Sequence, residues 1–459
     1  MHELSVLAAA AENPGRDCVI DSGRVWSYGE VAARVRTAMA SLVARGVEAG
    51  EPVALTPRVD LDSIVWLYAL FELASPAVLL HPGLRDRERA VALRQAQPAH
   101  LIESPVPDEA FAVPVARQAS VPAEQTLVIA FTSGSSGPAR GVRLSRRAFI
   151  ASEAAHASNL GWCPEDRWLL CMPPAHVGGL SIVTRSLIAR RCVVLGPSPF
   201  DAHELSRRMV EDGVTLLSVV PTMLRRLLLL EDPAWTPKRE LRAVLVGGAP
   251  FPDELRKQAA NRGVPTLATY GCTEACSQVT TQRLEQSGQP GSGTVLSGVE
   301  VRIEDDEIQI RGDVLMDGYL DEGANGTHWT PDGWFRTGDF GCFLPDGQLW
   351  VGGRRDDLIV TGGENVAPRE VEAWLESLPG VESACVFALP HPDWGEEVVA
   401  ALVVEPVQYS LQRLRGWLEE GLAPHKHPKR ICVLDALPLN RSGKIDRVAV
   451  KALCAGRLV

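Results

Sequence analysis

No apolar run in the 459-residue chain is long enough to cross a bilayer. The nearest candidate, Ser63 to Leu80, is broken by Glu72 and Pro76, which predicts a buried helix, a turn and a buried strand instead. Basic excess is also missing. The chain has 46 Lys and Arg against 57 Asp and Glu, a formal net charge of -11. That balance disfavours nucleic acid as a main partner, because binding it needs a basic footprint. The ten cysteines form no CxxC pair and no metal-like spacing, so they read as small buried residues in a reducing compartment. The N-terminal MHELSVLAAAAENPG places an acid where a secretion signal carries basic residues, and its apolar stretch is short. Together these absences predict a soluble, cytoplasmic protein without membrane insertion.

What is present is an ordinary globular composition, 46% hydrophobic and 22% charged, in a chain long enough for two or three domains. Up to about residue 290, short apolar strand candidates alternate with helical segments. They include Pro52 to Leu55, Trp168 to Met172, Cys192 to Leu195, Thr215 to Val220, Leu241 to Val246 and Thr266 to Tyr270. Such alternation predicts α/β architecture with parallel-type sheets and crossover helices. From about Thr294 the texture changes to short strands and glycine turns, a small β-rich subdomain. After Arg355 it changes again, to a small, mobile α+β tail: a helix from Pro368 to Leu378, strands Ser383 to Leu389 and Val398 to Val404, and a helix capped by Ser410. The expected division is therefore 1–355 and 356–459. The two glycines of Gly352-Gly353-Arg354-Arg355-Asp356 at the joint are expected to leave the backbone free to rotate.

The organising stretch is FTSGSSGPARGV, Phe131 to Val142. A strand-like LVIAFT precedes it, and Ser145 stands where it can cap the following helix. The loop between offers backbone N–H groups, hydroxyls and one guanidinium, with no carboxylate, a chemistry suited to polyphosphate. A flexible Gly/Ser surface loop explains the same residues equally well when they are taken alone.

Five stretches in fixed order decide between these readings: TSGSSGPARG, YGCTEACSQ, GWFRTGDFG, GRRDDLIVTGGENVAPREVE and LPLNRSGKIDR. Together they resemble the adenylate-forming superfamily of acyl-CoA synthetases, luciferases and peptide adenylation domains, over nearly the whole chain. The resemblance implies a two-step ligase: a carboxylate attacks the α-phosphate of MgATP to give an acyl-adenylate, and a thiol, here coenzyme A, then displaces AMP. It implies that Thr132, Ser133, Gly134, Ser135, Ser136, Gly137 and Arg140 hold phosphates. Arg140 stands where the family's usual TSGTTGxPKG has lysine, and the proline comes one place early. Gly247 and Gly248 would let backbone approach the nucleotide, and Tyr270 would stack on adenine. Thr273 would bond the α-phosphate, and Glu274 would hold Mg²⁺ as a hard oxygen ligand. Asp339, assisted by Arg354, would take the ribose hydroxyls. Lys444 would bridge carboxylate and α-phosphate, Asp356 would be the hinge, and Gly362 and Gly363 would line the passage for the pantetheine arm. Taken singly, Thr-Glu after a strand is more often a helix cap, and a lone Asp in a glycine-rich turn is usually turn chemistry.

MPPAHVGGLSIVTRSL and YGCTEACSQVTT resemble the 2-succinylbenzoate–CoA ligases of menaquinone biosynthesis more than fatty-acyl or acetyl enzymes. That likeness puts His176, Gly271 and Cys272 beside the acyl group. It offers Arg185 to a second substrate carboxylate, a helix-surface arginine being the alternative. Cys272 and Ala275 depart from the Met and Thr usual in that subfamily. A benzoate-type aryl-CoA ligase shares every motif and stays open at this stage. A peptide-synthetase adenylation domain is less expected, since the chain ends fifteen residues after Lys444. An amidase-signature hydrolase would explain only the Gly/Ser loop. The expected partner is a small-molecule carboxylic acid, with homodimerisation left open.

Overall fold

The computed structural model describes residues 3–108, 121–132, 139–231, 240–405, 411–440 and 443–457. Two mixed sheets form the large body. The first has nine strands in the order Thr294–Val295, Thr280–Thr281, Thr266–Tyr270, Ala243–Val246, Leu216–Val219, Arg167–Leu170, Cys192–Leu195, Asp17–Asp21 and Arg24–Ser27. It is parallel from Thr266–Tyr270 through Asp17–Asp21 and antiparallel at both edges. The second, six-stranded sheet runs Gly318–Tyr319, Gly141–Ser145, Thr126–Phe131, Ala77–Leu79, Val53–Leu55 and His100–Ile102. Its last four strands are parallel.

Continuous apolar strands are the reason for this layering. Cys192–Leu195, Ala243–Val246 and Val53–Leu55 are buried at every position, without the alternation of a half-exposed strand, so both faces must be covered by helices. The helix Leu61–Glu72 is buried at all positions but Asp62. Its acidic end is satisfied internally: Glu72 accepts from Ser5 Oγ at 2.8 Å and from the Leu7 N–H at 3.1 Å. The Ser63 to Leu80 stretch is thus a core helix and the strand Ala77–Leu79, as expected. Among the described residues no helix is long and apolar enough to cross a membrane.

The β-rich portion is a four-stranded antiparallel sheet of Val299–Glu304, Glu307–Gly312, Phe335–Phe343 and Leu349–Arg354. The last portion has a sheet of its own. A long hairpin, Val381–His391 with Gly395–Val404, pairs with Ile359–Thr361 and Glu364–Val366 on one side, and Arg430–Val433 lies parallel to Gly395–Val404. Pro368–Glu376, Leu411–Gly421 and Arg447–Cys454 are its helices, and Ser410 lies outside the described residues.

One local expectation is corrected. Ser145 occupies the N-cap of the helix Arg146–Leu160, but its side chain makes no capping bond and its buried Oγ has no partner among the described residues. Gly352 and Gly353 belong to the strand Leu349–Arg354. A Cβ at Gly352 would lie 2.1 Å from Phe340 Cε2, so packing against that ring requires glycine there. Of the cysteines, Cys18, Cys171, Cys192, Cys276, Cys385, Cys432 and Cys454 are buried as free thiols, as their scatter suggested, while Cys342 is exposed.

Candidate active site

The strand Thr266–Tyr270 ends in a chain reversal that presents several functional groups at once. A single 3₁₀ turn, Thr273–Ala275, follows it, and the chain folds back so that the Val279 N–H bonds Tyr270 O at 2.9 Å. A Cβ on Gly271 would stand 1.5 Å from Ser277 O, so only glycine fits between the two arms. Cys276 and Ser277 hold positive φ of 49° and 97°, a strain that the surrounding bonds sustain.

Tyr270 OH donates to Asp339 Oδ2 at 2.7 Å, while Arg354 Nε meets Asp339 Oδ1 at 3.0 Å. Asp339 and Arg354 face each other across adjacent antiparallel strands, and Arg354 Nη1 also donates to Thr337 O at 2.8 Å. Burial pushes the Asp339 carboxyl above its ordinary range, against the pull of Arg354 and the Tyr270 hydrogen bond. Lys444 arrives at the same place from the small last sheet's side. Its N–H bonds Asn440 Oδ1 at 3.1 Å, and the preceding Gly443 O accepts from Thr222 Oγ1 of the body at 2.7 Å. Burial, then nearby Arg354, lowers the Lys444 pKa, with Asp339 opposing.

Glu274 Oε1 accepts from Tyr319 OH at 2.8 Å. Arg140 lies over the Tyr319 ring, 5.7 Å from its centroid, at the end of the stretch whose base is closed by Thr132 N–H bonding Arg140 O at 3.0 Å. Ser133, Gly134, Ser135, Ser136 and Gly137 lie outside the described residues. Gly248, with φ +75°, ends the approach to Lys444: a Cβ there would be 3.5 Å from Lys444 Cε. Gly247 is explained differently from expectation, because its Cβ would meet Thr269 Cγ2 at 2.6 Å, a demand of strand packing.

His176 is the N-cap of the helix Val177–Ala189, and its ring lies 4.7 Å from that of His81. Burial, His81 and Lys444 together lower the His176 pKa to about 4, so the ring is neutral at physiological pH. Its Nε2 has no hydrogen-bond partner among the described residues. Arg185, nine residues along the same helix, is not on the helix surface: only 1% of it is exposed. It donates to Gln278 Oε1 and, at 2.7 Å, to Ser152 Oγ, while its buried Nε is without a partner among the described residues. Desolvation lowers its pKa to about 10. Cys272 is half-buried beside Glu274 and Asp339, which with burial push its thiol pKa up.

Asp356 is exposed in the one-turn 3₁₀ helix Arg355–Asp357. Gly362 and Gly363 form the turn between Ile359–Thr361 and Glu364–Val366, where the Gly362 N–H bonds Trp394 O at 2.9 Å. Asp356 follows closely on Arg354, the strand partner of Asp339. Tyr319, His81, Gln278, Ser152 and Thr337 contact site residues and were missed by sequence reasoning. Each sits in an unremarkable local pattern, and only strand pairing or helix packing brings it in.

Among the described residues no cluster of three or more His, Cys, Asp or Glu side chains is arranged for a resident metal ion. One buried cation, two carboxylates and backbone held open by glycine suit a nucleotide together with a second, anionic substrate.

The chain belongs to the AMP-binding enzyme family. The family's model matches residues 6–320, and that of the AMP-binding enzyme C-terminal domain matches 370–444. At the level of individual relatives, it is 33% identical to a 2-succinylbenzoate–CoA ligase of Bacillus licheniformis, over 95% of this chain and 96% of that protein. Its structure superposes with a TM-score of 0.89, at 30% identity and 98% coverage of both chains, on o-succinylbenzoate CoA synthetase from Bacillus subtilis in complex with the acyl-adenylate intermediate OSB-AMP. The same B. subtilis enzyme in complex with ATP and magnesium ion gives a TM-score of 0.89, at 30% identity and coverage of 98% and 99%.

Proposed function

We propose that this chain is an ATP-dependent 2-succinylbenzoate–CoA ligase, forming an acyl-adenylate and then the CoA thioester. The observation that carries the reading is the meeting of Lys444 with Asp339, Arg354 and His176 at one site, with Arg185 buried farther along the His176 helix. The names borne by the B. licheniformis and B. subtilis relatives support the same acid.

In the first step the substrate carboxylate oxygen attacks the α-phosphorus and pyrophosphate leaves. Lys444 stabilises the charge gathering on the two reacting anions, and Thr273 donates to the α-phosphate. Mg²⁺, held by Glu274, would neutralise phosphate charge. Arg140 and the loop from Thr132 to Gly137 take the β- and γ-phosphates, Tyr270 stacks on adenine beside Gly247 and Gly248, and Asp339 with Arg354 takes the ribose. In the second step the CoA sulfur attacks the acyl carbonyl and AMP leaves. His176, Gly271 and Cys272 border the acyl group. Arg185 serves the second carboxylate, since a buried anion without a counter-charge costs several kcal/mol.

Residues 1–355 hold ATP and the acid in this reading, and 356–459 turn about Asp356 to exchange Lys444 for Gly362 and Gly363. The placement of the two family models on either side of that joint supports the division. The test is ATP–pyrophosphate exchange across a panel of acids, followed by thioester formation with CoA. Exchange should be fastest with 2-succinylbenzoate, and preference for plain benzoate would overturn the substrate assignment in favour of a benzoate-type ligase.

A further inference from the structure

Arg140 does not stand alone at the end of the phosphate-type loop. Its Nη1 donates to His328 Nε2 at 2.8 Å, and His328 Nδ1 lies 3.4 Å from Arg336 O. This pair of partners defines one tautomer: Nδ1 carries the proton toward the carbonyl, and Nε2 offers its lone pair to the guanidinium. The His328 ring also packs edge-on against Tyr319 at 5.4 Å and stacks on Phe335 at 6.0 Å. Arg140 is therefore gripped by an acceptor at its tip and an aromatic face below it, and that same aromatic residue donates its hydroxyl to Glu274.

The grip is built by backbone pairing. Tyr319 is registered opposite Val142, and the Leu320 N–H bonds Gly141 O at 2.8 Å, which fixes Arg140 beside the ring. The helix Glu322–His328 then returns the chain, anchored by Asn325 Oδ1, which accepts from the Tyr319 N–H at 2.8 Å. A guanidinium has five donors in a fixed plane, so bonding one terminal nitrogen orients the remaining N–H groups as a unit.

We infer that His328 is a positioning residue for nucleotide binding, acting through Arg140: by accepting from Nη1 it aims the free N–H edge of the guanidinium at the phosphates. The inference rests on the reading of residues 131–142 as the phosphate loop, and the two can fail separately. The measurement is equilibrium affinity for ATP and for pyrophosphate by calorimetry, with melting temperature of the ligand-free protein recorded for each variant. His328→Ala should weaken ATP and pyrophosphate binding about fivefold, on the scale of the net value of one ordinary hydrogen bond. The KM for the acid and the rate of thioester formation from preformed acyl-adenylate should stay unchanged. His328→Gln, whose amide oxygen can accept from Nη1, should recover most of the affinity. In an Arg140→Ala background His328→Ala should add nothing further. Additive losses, or a glutamine variant as weak as alanine while melting like wild type, would overturn the inference. If Arg140→Ala itself leaves ATP affinity unchanged, the phosphate-loop reading falls, and the role of His328 falls with it.

Discussion

Lys444→Ala should separate the two half-reactions. The side chain is carried on a loop outside the large sheets yet ends beside Arg354 and Asp339, where its amine is held below the ordinary lysine pKa. That downward direction means burial and Arg354 outweigh the attraction of Asp339, so the folded, ligand-free protein carries a cost for keeping the charge there. The gain comes only when anions arrive. A unit charge 4 Å from another is worth about 4 kcal/mol at an effective dielectric near 20. Loss of one such donor typically slows the step by roughly 10²–10³. Adenylate formation, read by ATP–pyrophosphate exchange, should fall by that factor. Thioester formation from preformed acyl-adenylate and CoA should be largely spared, and the melting temperature should stay level or rise. Equal losses in both half-reactions would refute the division of labour, and a fall in melting temperature would refute the electrostatic account.

Three further outcomes are expected. Asp356→Pro, by restricting φ within the turn Arg355–Asp357, should preserve adenylation and sharply reduce CoA transfer, and unchanged turnover would mean that Asp356 is not the pivot. Arg185→Ala should lower kcat/KM for 2-succinylbenzoate by roughly 2–5 kcal/mol in transition-state terms, the scale for a buried charge left unpaired, and should lower it much less for benzoate. Because the His176 pKa is depressed to about 4 from 6.5, the folded state favours the neutral ring. Its stabilising contribution is complete above about pH 6.5 and declines toward pH 4, by up to about 1.4 kcal/mol per unit. His176→Asn should flatten that part of the stability–pH curve, and parallel denaturation midpoints for the two proteins would contradict it.

Legibility from sequence followed burial. Cys192–Leu195 is a strand over the range its uniform apolar run implied, because a strand covered on both faces has only its hydrophobicity to display. Asp339 and Lys444, singled out because glycines and polar residues crowd around them in fixed order, lie close enough to influence each other's charge. Tyr319 and His328 were not singled out: each reaches Arg140 through a pairing between segments some 180 residues apart, which no local pattern encodes. Gly247 and Gly352 were legible as glycines but not in their purpose, since the atoms that exclude a Cβ, Thr269 Cγ2 and the Phe340 ring, come from neighbouring strands.

On the proposed ribose role of Asp339, the Tyr270–Asp339–Arg354 arrangement bears on how finely the enzyme can tell one nucleotide sugar from another. Asp339 Oδ2 already accepts from Tyr270 OH, and Oδ1 is ion-paired with Arg354 Nε at 3.0 Å, before any sugar arrives. A sugar lacking one hydroxyl would therefore leave no acceptor stranded and would forfeit only the net value of one bond, about 1 kcal/mol. Severe rejection, of the order of 10⁴, arises where a buried polar group is left with nothing to bond. Discrimination between ATP and 2′-deoxy-ATP should accordingly be modest, and the cell's excess of ribonucleotide, rather than the protein, would keep the deoxy form out.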